Sequence, residues 1–309
     1  MEIRDKINEF LSTVPEVKSA IGYGSGVKKQ DDGFSKKAID IIATVDDDYS
    51  WHKENLKRNP DLYSKFAKGT DLSFLHWKTD VNFLANIVID GQAFKIGTIN
   101  EKKLLENIEY WDHFYIPGRL QKSILEVKAT DKLHKAIRAN RKNALTAALL
   151  TNYDQNMSFD DLLYNICNLS YSTDIRMKLG MENKNKVQNI VNGSYDELKE
   201  IYTDVNEDLY TVKNDKVLLN FYGLLESLDK YFPPFVASSL ADRDIYPEDL
   251  TVKDLKLIKK LILKRIGDIT KDESIAQPIK GVLLNPVGKS IDYAFQKRLK
   301  YKGNTENKG

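Results

Sequence analysis

Near the start of the chain an apolar run ends in a glycine-rich turn, Ile21-Gly22-Tyr23-Gly24-Ser25-Gly26-Val27. A second apolar run then opens on one carboxylate, Ile39-Asp40-Ile41-Ile42-Ala43-Thr44-Val45. Glycine lets backbone N–H groups approach an anion closely, and Ser25 adds a hydroxyl donor. A carboxylate in an apolar strand is costly to bury unless it is paired or holds a metal. Together the two runs suit a strand, a phosphate loop and a neighbouring strand that presents an acid to a metal, which is the outline of nucleotidyl-transfer chemistry. The turn is neither a dinucleotide fingerprint nor a P-loop: position 29 is not glycine, and no Gly-Lys-Ser/Thr follows. On residue types alone, Gly24–Gly26 fits a tight turn and Asp40 an exposed strand end just as readily.

Further polar residues are candidates of the same kind. Arg119 and Lys122 follow Pro117-Gly118 at a spacing that can clamp a triphosphate, or can form a solvated basic loop. Asp46 lies six residues beyond Asp40, roughly 20 Å along a straight strand. It can share a metal with Asp40 only if the strand bends or ends early, and Asp46-Asp47-Asp48 reads equally as a loop or helix cap. Asp174 and Arg176 suit an internal ion pair, with Lys184 and Lys186 beyond them. His52, His76, His113 and His134 are too scattered for a metal-ligand pattern.

The elements that position these residues follow from periodicity. Ile3, Ile7, Phe10 and Leu11 fall at helical spacing, and strands are expected over 17–23 and 38–45. Alternation puts Ile39, Ile41, Ala43 and Val45 on one face, with Asp40, Ile42, Thr44 and Asp46 on the other. Helices are expected over 51–59 and 62–66, split by Pro60, and a hairpin is expected around Asp90-Gly91. Residues 131–150 read as one long helix. Ser158 with Asp161, and Ser194 with Glu197, look like capping boxes. Pro233-Pro234 suggests a boundary, and 251–266 suggests a capped amphipathic helix. The last helix, 287–302, carries Ile291, Phe295 and Leu299 beside Lys297 and Arg298, which suits a helix lying on anionic lipid or on the protein's own core.

Bulk composition narrows the classes. A chain of 309 residues with a net charge of +2 has room for two or three domains and no global drive toward nucleic acid. A lone cysteine, Cys167, rules out an internal disulfide, and its apolar neighbours place it in the core. No apolar run approaches the roughly 20 residues that span a bilayer, and the first residues lack a signal or transit layout. The expected location is therefore cytoplasmic, with any membrane contact peripheral, on the inner face of the cell membrane.

The order of motifs resembles the mitochondrial translocator assembly and maintenance family, the soluble-type phosphatidate cytidylyltransferases (CDP-diacylglycerol synthases), in its bacterial-like form. The matching stretches are Gly22–Val27 with Gln30, and Asp40–Asp47 with Trp51-His52 and Asn55. Phe94-Lys95-Ile96-Gly97 and Trp111 through Lys122 follow, then Leu169–Tyr171 with Asp174–Met177, Lys186-Val187 and, near the end, Lys280-Gly281 with Lys289–Tyr293. The resemblance implies an α+β chain: a polymerase-β-type nucleotidyltransferase domain over 1–127, a mostly helical winged-helix-like domain over 128–235, and a C-terminal region over 236–309 with a membrane-contacting helix. It implies CTP and phosphatidate as partners, Mg²⁺ as cofactor, an anionic membrane surface, and no nucleic acid. On this footing Asp40 holds metal, with Asp46 as second ligand, and Gly24, Ser25 and Gly26 hold the triphosphate. Lys95, Arg119, Lys122 and Arg176 neutralise phosphates, Asp174 orients Arg176, Lys186 lies nearby, and His52 and Asn55 shape the site. Asp40, Lys122 and Arg176 are the residues expected to act in catalysis. Three positions depart from the family pattern: Ala38 stands where a second acid is common, Ile96 where tyrosine is expected, and Gly118 where alanine is usual. Asp46, Asp80 and Asp90 are the candidates for the missing ligand. The alternatives are transfer to RNA or a protein hydroxyl, and a non-catalytic membrane adaptor.

Overall fold

The structure, a computed structural model, describes residues 2–28, 37–154, 156–172, 183–206, 208–224, 242–244, 246 and 254–286. A mixed five-stranded sheet has the order β3-β4-β2-β1-β5. Its strands are β1 (Ser19–Tyr23), β2 (Ile39–Val45), β3 (Asn82–Ile89), β4 (Gln92–Asn100) and β5 (Leu125–Lys128). β2 and β4 run parallel, and the other ladders are antiparallel. The expected hairpin joins β3 to β4 through Asp90 and Gly91, both at positive φ (47° and 75°), as a tight two-residue turn requires.

Alternation along β2 sorts the two faces as the sequence pattern predicts. Ile39, Ile41, Ala43 and Val45 pack with Phe10 and Ile7 of helix α1 (Ile3–Ser12), with Phe94 and Ile96 of β4, and with Trp51. Trp51 belongs to α2 (Asp48–Arg58), whose N-cap Asp47 accepts the Ser50 N–H at 2.8 Å. The short α3 (Lys65–Lys68) closes that side. The other face, with Ile21, Tyr23 and Ile42, packs on α4 (Glu101–Tyr110) and on α5 (Pro117–Leu120).

A second core is helical. It is built on α6 (Asp131–Asn152), α7 (Phe159–Asn168), α8 (Lys186–Gly193) and α9 (Tyr195–Asp204), with a hairpin of β6 (Tyr210–Lys213) and β7 (Lys216–Leu219). Ser158 and Asp161 form the expected capping box on α7. Ser194 makes no side-chain cap on α9: it is also the C-cap of α8, and its ψ of 26° is not the extended conformation of an N-cap. Glu197, the other half of the expected box, accepts from Ser123 Oγ and pairs with Lys28 at 2.8 Å. Cys167 is fully buried, and burial pushes its thiol up to about 11, so it is a core residue as expected.

The amphipathic helix expected over 251–266 is α10 (Leu255–Leu284), a 30-residue helix that continues past Pro278. It serves both cores. Ile258, Ile262, Ile266 and Ile269 enter the helical core, and each such side chain contributes about 1.5–3 kcal/mol of burial. Farther along, Lys280 Nζ donates to the carbonyls of Leu75 (2.7 Å) and Thr79 (2.8 Å). Asn285 completes the docking. Its Oδ1 accepts the Ala85 N–H at 2.7 Å and its Nδ2 donates to Phe83 O at 2.9 Å, beside the irregularity in β3 between Leu84 and Ile87. The described part of the C-terminal region is thus tied into the sheet unit and the helical unit alike. Gln30, Asp174, Arg176, Pro233-Pro234 and the helix expected over 287–302, with Ile291, Phe295, Lys297, Arg298 and Leu299, lie outside the described residues.

Candidate active site

β1 ends at Tyr23, opposite Asp40, and Asp40 is in turn the register partner of Lys95 across the parallel ladder. Register partners point to the same face, so Tyr23, Asp40 and Lys95 form one row. The chain leaves β1 through Gly24, whose φ of +74° is a left-handed conformation that favours glycine. A Cβ at Gly24 would stand 3.4 Å from Asp40 Oδ2, so the turn lies directly against the carboxylate. The Gly24 carbonyl accepts the N–H groups of Val27 (3.1 Å) and Lys28 (2.9 Å). The N–H groups of Ser25 and Gly26 open this helical turn, where no carbonyl of the same turn reaches them. Gly26 packs against the start of β2: a Cβ there would meet Ala38 O at 2.0 Å. Two glycines therefore seat the turn on the strand that carries Asp40.

Cations gather on the same face. Lys95 Nζ lies 4.1 Å from the centre of the Phe83 ring. Gly97 makes that ring position possible, since a Cβ at 97 would fall 2.3 Å from Phe83 Cε1. Burial alone would lower the Lys95 pKa, but Tyr115, Tyr23 and Asp40 around it raise it overall, so Lys95 is a fixed cation. The Arg119 guanidinium stacks 3.3 Å from the centre of the Tyr115 ring, and 5.6 Å from that of Tyr23. Lys122 Nζ donates to Gly118 O and, at 2.6 Å, to Ser170 Oγ, and it lies 4.9 Å from the Tyr171 ring centre. Burial, and repulsion from Arg119 and Lys186, push Lys122 down to about 7. Lys186 thus joins Arg119 and Lys122 in one positive cluster. Gly24, Ser25, Gly26, Asp40, Lys95, Arg119, Lys122 and Lys186 are all part-exposed, on a framework of buried residues.

The segment that presents Arg119 and Lys122 is held from several sides. Asn140 accepts from Trp111 Nε1 at 2.8 Å and donates to Pro117 O at 3.0 Å. Gln121 Nε2 donates to Ile166 O at 2.7 Å, and Glu273 of α10 accepts the Tyr115 N–H at 2.7 Å.

Some expected site residues lie elsewhere. Asp46 stands past the far end of β2, is 84% exposed and pairs with Lys18 at 2.5 Å. β2 neither bends back nor stops early, so the two acids stay apart. Asp80 pairs with Lys103, and Asp90 sits in the β3–β4 turn. His52 and Asn55 are fully buried on the other face of the sheet. His52 Nε2 meets Thr98 Oγ1 at 2.9 Å, and Thr98 stands three residues after Lys95, hence on the opposite face. Tyr63 OH is shared by His52 Nδ1 and Asn55 Nδ2, each at 3.0 Å. Burial drives His52 down to about 3, so it is a neutral structural imidazole. Sequence reasoning missed Tyr23, Phe83, Tyr115 and Glu273. Only strand register reveals the first two; Tyr115 stands four residues before Arg119, within the Trp111–Lys122 stretch, and nothing local marks Glu273.

The residues fit a cation held by one carboxylate. Among the described residues no group of three or more histidine, cysteine, aspartate or glutamate side chains forms a metal cage. Asp40 beside a turn that opens on backbone N–H groups suits Mg²⁺, which commonly takes one or two carboxylates and completes its shell with substrate phosphates and water.

Residues 7–220 match the family model described as phosphatidate cytidylyltransferase, mitochondrial. The similar proteins include phosphatidate cytidylyltransferases named as mitochondrial. That of Schizosaccharomyces pombe is 29% identical, with 90% of this chain and 78% of that protein covered. That of Saccharomyces cerevisiae is 32% identical (90% and 66%), and that of Xenopus laevis 28% (96% and 94%). The chain belongs to this phosphatidate cytidylyltransferase family. The expected location on the inner face of the cell membrane is corrected by these relatives, whose mitochondrial naming fits a mitochondrial location instead.

Proposed function

We propose that this chain performs the family reaction, joining CTP to phosphatidate to give CDP-diacylglycerol and pyrophosphate, on the face of the sheet that carries Asp40. The observation that carries this reading is the row Tyr23–Asp40–Lys95 lying against the Gly24–Gly26 turn, with Arg119, Lys122 and Lys186 beside it. The sheet with its turn serves as a polymerase-β-type nucleotidyltransferase unit, and the helical core with its β6–β7 hairpin as a winged-helix-like unit.

The N–H groups at the turn and the Ser25 hydroxyl bind the triphosphate. Lys95, Arg119 and Lys122 draw negative charge from it, which favours in-line attack by a phosphatidate oxygen on the α-phosphorus. The bond to the β-phosphate oxygen breaks and pyrophosphate leaves. Mg²⁺ at Asp40, when bound, supplies charge neutralisation on the phosphate oxygens. Arg176, oriented by Asp174, is proposed as a further phosphate contact from sequence. Phosphatidate resides in a bilayer, and no described helix is long and apolar enough to cross one. The segment 287–302 is proposed to touch the anionic surface.

The test is nucleotide selectivity with phosphatidate in detergent micelles. Label from α-labelled CTP should enter the chloroform phase only when phosphatidate is present, and excess unlabelled CTP should compete better than ATP, GTP or UTP. Label in the chloroform phase without phosphatidate, or equal competition by all four unlabelled nucleotides, contradicts the reading.

A further inference from the structure

The Trp111–Gln121 segment takes most of its anchors from α6 and α7, but one comes from far along the chain. Glu273, in the middle of α10, is 3% exposed, and its Oε2 accepts the Tyr115 N–H at 2.7 Å. The same carboxylate faces the Phe114 amide and Arg119. Burying a carboxylate is costly, so a purely space-filling role would be met better by an apolar side chain. What this one holds is specific. Tyr115 is the ring on which Arg119 stacks at 3.3 Å, and the Tyr115 carbonyl accepts from Arg119 Nη1. Tyr115 also lies 5.4 Å from Phe83, the ring beneath Lys95. Glu273 therefore grips the backbone of a residue whose ring supports Arg119 and lies against the ring that supports Lys95. It does so from outside residues 7–220, the part that matches the family model.

We propose that Glu273 is a positioning residue of the cytidylyltransferase: by fixing the Tyr115 backbone, it sets the Arg119 guanidinium where the nucleotide polyphosphate binds. This rests on the reading of Arg119 as a phosphate contact. Loss of the anchor lets the Tyr115 ring and Arg119 shift together, and displacement of about 1 Å at a phosphate clamp costs up to a hundredfold. Glutamine keeps an acceptor oxygen of the same reach, so it preserves the grip without the charge.

The experiment measures the CTP KM and kcat of the full chain in phosphatidate micelles for Glu273→Ala, Glu273→Gln, Arg119→Ala and the Glu273→Ala/Arg119→Ala pair, with thermal melting of each. The expected result is a KM rise on the order of tenfold in Glu273→Ala, near-wild-type kinetics in Glu273→Gln, and no further KM rise when Glu273→Ala is added to Arg119→Ala. If Glu273→Ala does not fold, Glu273→Asp, whose carboxylate is retracted by about 1.5 Å, is read in its place with the same expectation. A Glu273→Ala effect of equal size with and without Arg119 makes Glu273 merely structural and overturns the proposal alone. Arg119→Ala kinetics equal to wild type overturn the Arg119 reading and the proposal with it.

Discussion

Asp40 and Lys95 are register partners on parallel neighbouring strands, which sets a carboxylate and a fixed cation side by side at the mouth of the Gly24–Gly26 turn. Neither helps the fold much: both are part-buried charges on an apolar sheet. Replacing Lys95 by methionine should leave the melting temperature equal or higher, while kcat/KM for CTP falls by about a hundredfold or more, as expected when a preorganised charge is removed. A large fall in melting temperature with little kinetic change would make Lys95 a structural residue.

Gly97 gives a test of how Lys95 is held. An alanine there would drive a methyl group into Phe83, with the ring carbon 2.3 Å away, and the ring must yield. Gly97→Ala should cost about 1–3 kcal/mol of stability. Because the ring under Lys95 moves, activity per folded molecule should fall as well. Denaturant unfolding paired with active-site-normalised kinetics separates the two effects, and a variant that loses stability but keeps full kcat/KM would detach Phe83 from the site.

Lys122 predicts a pH effect. Its pKa is pushed down to about 7 by burial and by the neighbouring Arg119 and Lys186, so rising pH discharges it around neutrality. The free enzyme should therefore bind CTP more weakly as pH rises through about 7. Lys122→Arg stays charged throughout and should lose that rise in KM. Superimposable pH profiles for the two proteins would exclude Lys122 from triphosphate binding.

His52 should matter to stability and not to chemistry. Its two ring nitrogens are committed to Tyr63 and Thr98 on the far face of the sheet. His52→Ala should cost about 2–3 kcal/mol with kcat unchanged. The folded pKa of about 3 lies below the ordinary value, so as pH falls from about 6.5 to 3 the unfolded chain takes up a proton that the folded one refuses. Stability is lost in that window, and His52→Ala lacks this loss. Neighbouring Asp48, raised to about 7 by burial, acts in the opposite sense, so the readout is the difference between the two proteins across the pH range. A parallel pair of curves would refute the assignment.

Much of the geometry around Asp40 was legible in the sequence because it depends on local order. Two glycines after an apolar run, and a carboxylate opening the next, are enough to place Asp40 beside the turn once β1 and β2 pair. The face assignment along β2 follows from alternation alone. His52 and Asn55 were misplaced because their position depends on which face α2 packs against, and that choice is made by Trp51, Ile41 and Ile96 together. The capping box at Ser194 failed on both sides: Ser194 is taken up as the C-cap of α8, and Glu197 met Lys28 and Ser123, which are remote in sequence. Glu273 was invisible for the same reason: its partner, Tyr115, is 158 residues away.

The role of Asp40 is tested most directly by the transfer of label from α-labelled CTP to phosphatidate by wild type and Asp40→Asn side by side, with Mg²⁺, counting label that extracts into chloroform. Nucleotidyl transfer at Asp40 predicts lipid-soluble label in wild type, and a loss on the order of a thousandfold or more in Asp40→Asn at an unchanged melting temperature. Substantial label from a folded Asp40→Asn protein would contradict it and move the site away from this face of the sheet.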